Sequence, residues 1–217
     1  KTKSKSFIYR LMKIALIFDL DGVLIDSKKN MKLSWEFVNK KYKLNRNFDK
    51  YFFYIGRPFK DILKMLKIEK HLHHKIFLDY NKTSNKNLNK IKIYKDVKKT
   101  LKIINKKYLT GIVTSKDKKR TFQIIKKFNL KFKTIVPPNK GIKGKPYPDQ
   151  IKKALKNLKV MPNNAYYIGD MQVDYIASKR AGVEFIFSKY GYSKVRSEYK
   201  IKIAKFQDLL KVQYGKL

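Results

Sequence analysis

The sequence predicts an α/β protein, a Rossmann-like parallel sheet with helices on both faces, plus an inserted all-helical cap domain. Three observations carry this. Residues 14–18, 109–113, 165–168 and 183–187 are strand-length runs rich in apolar side chains, short enough for single buried strands. Between them apolar residues recur at helical spacing, so strands and helices alternate, the pattern of a parallel sheet covered on both faces. Residues 28–91 show helical patterns alone, as an insert between core strands would.

The 217 residues, 43% of them apolar, suffice for one large α/β domain or for a core with a smaller insert. The absence of cysteine excludes disulfides, thiolate chemistry and a Cys-ligated zinc. No apolar run reaches the length of a spanning helix, so a cytoplasmic protein, monomer or homodimer, is expected. The net charge of +38 raises nucleic acid, an anionic membrane or an acidic substrate as partners. Arginine, the residue suited to planar phosphate and base-edge recognition, stands only at 10, 46, 57, 120, 180 and 196. The lysines are spread over the whole chain among Asn, Ile, Phe and Tyr, which reads as compositional bias on a solvated surface. Neither nucleic acid nor membrane is therefore the expected partner. The rival of another class, a basic anion- or nucleic-acid-binding protein without catalysis, predicts binding with a steep salt dependence.

Residues 1–11 are basic, lack periodicity and have no apolar stretch followed by small residues. They read as an extension rather than a targeting peptide. The core is expected over 12–27 and 92–217, with the helical cap over 28–91. The first strand, 14–18, runs straight into Asp19-Leu20-Asp21-Gly22, and open α/β sheets place their sites at the carboxyl ends of strands. Ser27 is the expected N-cap of a helix whose apolar stripe is Met31, Trp35, Val38 and Tyr42. Pro58 opens a second helix with Asp61 near its positive end and Phe59, Ile62, Leu63 and Leu66 inward. A third is expected over 69–88. His71, His73 and His74 on it read as a solvated face, since no third ligand of a metal site is in view, and the many Tyr and Phe residues read as core.

The core resumes near Ile93. Val97, Leu101, Ile104 and Tyr108 mark a helix, and the strand 109–113 ends in Thr114 and Ser115. A helix over 118–128, a strand over 132–136 and a loop to Pro148 follow. Ile151, Leu155 and Leu158 mark the next helix. The strand 165–168 ends in Gly169-Asp170, and the helix 173–181 is stopped by Gly182. A strand over 183–187, an edge strand over 200–203 and a closing helix over 206–212 complete the chain.

Four loops thus fall at the ends of strands. They carry Asp19 and Asp21; Thr114; Lys145 in Lys-Pro-Tyr-Pro-Asp; and Asp170 with Asp174 in Gly-Asp-Met-Gln-Val-Asp. Carboxylates, a hydroxyl and one ammonium suit a hard cation and a phosphoryl group. A carboxylate nucleophile would split a hard displacement into two easier ones.

Asp-x-Asp-Gly-x-x-x-Asp at 19–26, with the three later motifs in this order, resembles the haloacid dehalogenase superfamily, in particular its phosphoglycolate-phosphatase-like branch with a helical cap. The resemblance covers the chain from Met12 onward. It implies a Mg²⁺-dependent phosphatase acting on a small phosphorylated metabolite, 2-phosphoglycolate first and sugar phosphates next. A pyrophosphatase or sugar phosphomutase of the same superfamily is the alternative. By the resemblance, Asp19 would attack phosphorus and bind Mg²⁺. Asp21 would protonate the leaving oxygen, activate water and offer its carbonyl to the metal. Thr114 would donate to a phosphate oxygen, with Ser115 as its rival. Lys145 would pair with the phosphoryl group and Asp19. Asp170 would complete the metal's protein ligands, Asp174 acting directly or through water. Amides around Leu20 to Gly22 would cradle the phosphoryl oxygens, and Arg57 resembles a cap arginine that meets substrate. An acid at Asp21 suits a leaving alkoxide that needs a proton, and disfavours dehalogenase- and phosphonatase-type chemistry.

Overall fold

The computed structural model describes residues 13–193 and 199–215; the expected basic extension at 1–11 lies outside them. Six parallel strands form one sheet in the order β5-β4-β1-β6-β7-β8. They are β1 (Ala15–Phe18), β4 (Leu109–Val113), β5 (Thr134–Val136), β6 (Ala165–Gly169), β7 (Glu184–Ser188) and β8 (Ile201–Ile203). The central strand β1 lies between β4 and β6, so its carboxyl end opens where the strand order reverses direction, the place such sheets bind ligands.

Alternation along the strands divides the core. Leu16 and Phe18 join one apolar cluster, with Val97, Leu101 and Ile104 of α5 (Val97–Lys107) and Ile124, Ile125 and Phe128 of α6 (Lys118–Phe128). Ala15 and Ile17 join the other, with Ile151, Ala154 and Leu155 of α7 (Asp149–Leu158) and Ala177 and Ala181 of α8 (Gln172–Ala181). Each large apolar side chain buried this way contributes about 1.5–3 kcal/mol. The sheet is covered on both faces, as the runs of apolar strand residues require.

Between β2 (Ile25–Asp26) and β3 (Lys92–Ile93) the chain is helical throughout: α1 (Lys28–Lys41), α2 (Phe48–Phe53), α3 (Phe59–Met65), a 3₁₀ turn (Lys70–Leu72), α4 (His73–Lys86) and a second 3₁₀ turn (Leu88–Lys90). A third apolar cluster, including Trp35, Tyr51, Ile62, Leu63, Ile76 and Tyr80, is made of these helices. β2 and β3 pair antiparallel, Ile25 with Ile93 and Asp26 with Lys92, so the two chain crossings into the helical insert are tied side by side. This ribbon is too short for periodicity to reveal.

Several local expectations change. Ser27 occupies the N-cap position of α1 but makes no side-chain cap bond. Its hydroxyl donates to Asp21 Oδ1 instead, and Asp26 Oδ1 accepts from the Lys28 amide at 3.0 Å. The third helix starts at His73 rather than 69, because a 3₁₀ turn precedes it. The closing helix is a 3₁₀ segment, Phe206–Lys211. His73 is buried and bonds the Ile68 carbonyl through Nε2 at 2.9 Å, so the histidines do not share one solvated face; exposed His71 pairs with Glu69. No helix among the described residues is long and apolar enough to cross a membrane.

Candidate active site

The carboxyl ends of β1, β4 and β6 bring the sequence-predicted residues together. Asp19 follows β1, Thr114 follows β4 and Asp170 follows β6, all buried. Lys145 arrives on the loop before α7; its side chain is 1% exposed, and its ammonium lies 2.9 Å from Asp19 Oδ1 and 2.7 Å from Asp174 Oδ1. Carboxylate oxygens of Asp19, Asp170 and Asp174 all lie within 4.8 Å of one another. Three acids against one ammonium leave the cluster short of positive charge. Burial, only partly offset by Lys145, raises Asp19 to about 7. Burial also pushes Asp170 well up, with the charges of Asp174 and Asp19 adding to it. Burial alone would lower the Lys145 ammonium, but Asp174 and Asp19 outweigh it and hold it well above the ordinary lysine value.

The three acids differ in what already engages them. Asp174 Oδ1 accepts from Lys145; Oδ2 accepts from the amides of Asp170 and Met171 at 3.2 and 3.0 Å, while the one Tyr167 hydroxyl proton is nearer the Val113 carbonyl, at 3.2 Å, than Asp174 Oδ1, at 3.4 Å. Its side chain thus orients Lys145 and caps α8, and its carboxylate also stands within reach of the same ion as Asp19 and Asp170. Asp170 is the opposite case. Its Oδ2 accepts from the Tyr192 amide at 2.6 Å, while Oδ1 is buried with no hydrogen-bond partner. A buried carboxylate oxygen without a donor is costly, and a cation would satisfy it. The set of hard oxygens fits such an ion.

Asp21 stands outside the three-acid group. Its Oδ1 accepts from Ser27 Oγ and lies 3.2 Å from the ammonium of Lys116, which is itself 1% exposed. Burial, with the charge of Arg120 adding, lowers Lys116 against the pull of Asp21. Thr114 Oγ1 accepts from the Lys116 amide at 3.1 Å, which leaves its proton to donate. Ser115 does not share this role: its hydroxyl donates to the Gly56 carbonyl at 2.7 Å, tying the core to the helical insert. The Gly22 amide is likewise engaged, by the Ile25 carbonyl at 2.9 Å, leaving Leu20 and Asp21 to supply any amide cradle. Gly22 has another task. Its φ is +83°, and a Cβ there would fall on the Asp170 carboxylate; glycine alone meets both demands. Arg57, half-buried at the start of α3, lines the same cavity as Asp19 and Asp21.

Sequence reasoning missed Lys116, Arg120, Tyr167 and Tyr192. Lys116 lies two residues past Thr114, yet one lysine among so many carries no signal. Tyr192 is the least visible. Its amide holds Asp170, its hydroxyl accepts from the Ser27 amide at 2.7 Å and donates to Asp26 at 3.3 Å, and its ring packs edge-on to Phe52 of the insert.

Such a sheet, with charged side chains converging on its carboxyl edge beneath a helical insert, defines a class of α/β enzymes that handle anionic substrates at strand ends. The family model for haloacid dehalogenase-like hydrolases matches residues 16–188, and the chain belongs to that family. A phosphoglycolate phosphatase from Aquifex aeolicus is 31% identical over 192 residues, 84% of this chain and 88% of the relative. A pyrophosphatase PpaX from Oceanobacillus iheyensis is 26% identical over 175 residues, covering 78% and 80%. Among solved structures, a hydrolase from Pseudomonas syringae superposes with a TM-score of 0.83 at 21% identity, over 92% of this chain and 97% of that one; it shares the fold.

Proposed function

We propose that the protein is a Mg²⁺-dependent phosphatase that hydrolyses a small phosphate monoester through a phosphoryl group carried on Asp19, with residues 28–91 acting as a cap over the core of 12–27 and 92–217. The observation that carries this is the buried group of Asp19, Lys145 and Asp170, in which Asp170 Oδ1 has no partner. Asp19 and Asp170 would hold the ion, with the main chain of Asp21 beside them and Asp174 acting directly or through water. The ion, when bound, supplies charge that neutralises phosphoryl oxygens.

The chain's own residues account for the rest. Lys145 balances Asp19 and, as Asp19 takes up the phosphoryl group, remains to pair with its oxygens. Thr114 donates to a third direction of the same group. Asp21, held by Ser27 and Lys116 away from the three acids, delivers a proton to the leaving alkoxide and then takes one from the water that releases phosphate. The Aquifex relative supports an alkyl phosphate such as 2-phosphoglycolate as first candidate. The Oceanobacillus relative supports pyrophosphate as the second reading, in which the leaving group is itself phosphate.

The test is phosphate release from 2-phosphoglycolate, pyrophosphate and simple alkyl phosphates, with Mg²⁺, with chelator, and with Asp19→Asn. Release should require the metal and fall by on the order of a thousandfold or more in the variant, as loss of a nucleophile does. Release that survives Asp19→Asn would remove Asp19 from the mechanism.

A further inference from the structure

A cavity of about 600 Å³ lies between the core and the helical insert, with Asp19, Thr114 and Lys145 at its core side. That volume sits within the range, roughly 300–1,000 Å³, of cavities that enclose ligands of drug size. Glycolate or phosphate as leaving group would leave most of it to water.

The insert side of the cavity carries a cluster of rings, with Arg57, His74 and Asn81 beside it. Phe59 packs on Tyr80 with centroids 4.7 Å apart and on Phe77 at 5.9 Å. The hydroxyls of Tyr51 and Tyr80 bond each other at 2.9 Å, so these two buried rings back the wall and add no unpaired polar group. Ile62 and Leu63 complete this wall.

The two buried cations on the core side near Asp21 are matched within the protein, whereas half-buried Arg57 on the insert side makes no ion pair among the described residues. Lys116 faces Asp21 at 3.2 Å. Arg120 pairs with Asp117 at 3.0 Å, donates to Asn81 at 3.1 Å and lies over the Tyr80 ring at 5.3 Å. The exposed lysines bordering the cavity, Lys60, Lys70 and Lys118, lie in solvent, where they draw any phosphate ester inward without distinguishing leaving groups.

Resting on the phosphatase chemistry above but replacing its leaving-group candidates, we propose that the substrate is a phosphate monoester of a ring-bearing, largely apolar alcohol, whose ring packs on Phe59 and Phe77, backed by Tyr80, while its phosphoryl group meets Asp19. The phosphorus–oxygen ester bond breaks, the alkoxide takes its proton from Asp21, and water supplies the oxygen that completes inorganic phosphate.

Ethyl phosphate and 2-phenylethyl phosphate test this directly, because their leaving alcohols have similar acidity and differ by the ring. 2-Phosphoglycolate and pyrophosphate are run beside them, all with Mg²⁺. The ring-bearing ester should exceed ethyl phosphate in kcat/KM at least tenfold and should also exceed 2-phosphoglycolate and pyrophosphate, whose leaving groups are anionic. That ratio should fall at least fivefold in Phe59→Ala and in Phe77→Ala. Phe59→Leu, which keeps an apolar side chain, guards against a folding defect and should lower the ratio less. Equal rates on the two alkyl esters, a ratio indifferent to both truncations, or a preference for 2-phosphoglycolate or pyrophosphate would overturn the substrate class while leaving Asp19 chemistry standing. Metal-independent release, or none from any of the four, would overturn the phosphatase reading itself and this inference with it.

Discussion

The two walls of the cavity solve opposite problems. The core wall gathers Asp19, Asp21, Thr114, Lys116 and Lys145 around strand ends, with Asp170 buried behind Asp19 and the charges facing one another. The insert wall gathers Phe59, Tyr51 and Tyr80, with their polar atoms paired away. On the core side, a carboxylate or ammonium counts by whether a partner stands within hydrogen-bond reach, because burial otherwise makes it costly. On the insert side, shape and apolar area count. Chemistry is thus fixed by the first wall, and choice of leaving group falls to the second.

Removing a partner from the charged wall should have the largest effect. Lys145→Ala leaves Asp19 and Asp174 buried without their shared cation, a loss of about 3–5 kcal/mol for a broken buried pair. In a chain of this length that is a fall in Tm of roughly 10 °C. Lys118→Ala, an exposed lysine bordering the same cavity, should move Tm by about 1 °C or less. Equal effects from the two lysines would erase the contrast between buried and solvated charge.

The charged wall should also make metal-free protein sensitive to pH. Burial raises Asp19 to about 7 and raises Asp170 as well, so both acids fold more favourably protonated than ionised. Their contribution is complete below about pH 4, the unfolded value, and for Asp19 is lost as pH climbs through about 7. Thermal melts in chelator should therefore weaken between pH 5 and pH 7.5, by on the order of a few kcal/mol, and Mg²⁺ should restore stability most at the upper end. A chelated protein that gains stability over this interval would contradict the assigned burial of these acids.

The smallest effect tests the link between the walls. Tyr192→Phe removes the acceptor of the Ser27 amide and the donor to Asp26 but keeps the ring on Phe52 and the amide on Asp170. Leaving one such amide without a partner costs about 1–2 kcal/mol, and the half-saturating Mg²⁺ concentration should rise about twofold as the segment around Tyr192 loosens. A variant identical to the parent in both measurements would reduce Tyr192 to packing.

How much of this could be read beforehand follows the same divide. Asp19, Asp21, Thr114 and Asp170 were legible because each follows an apolar run at a strand end, and Lys145 stood out from the other lysines only by its Lys-Pro-Tyr-Pro-Asp context. The alternation that placed β1, β4, β6 and β7 was equally plain. Lys116 was hidden by composition, since nothing local separates a buried lysine from the solvated ones. Tyr192 acts across more than 160 residues on Ser27, a relation no local pattern carries. Ser27 itself read as a helix cap, because a serine before a helix usually is one; tertiary contact with Asp21 took its hydroxyl instead. The ring wall was visible only as core, because helical spacing of Phe and Tyr does not say which rings face a cavity.

The most direct test of the central claim is to catch the phosphoryl group on the protein. A turning-over mixture with a radiolabelled alkyl phosphate and Mg²⁺ is quenched in acid, digested and mapped by mass spectrometry. Label on the peptide containing Asp19, lost on brief alkaline treatment as an acyl phosphate is and absent from Asp19→Asn, is the predicted result. Rapid turnover with no label on the protein, or label on another residue, would contradict Asp19 as the nucleophile.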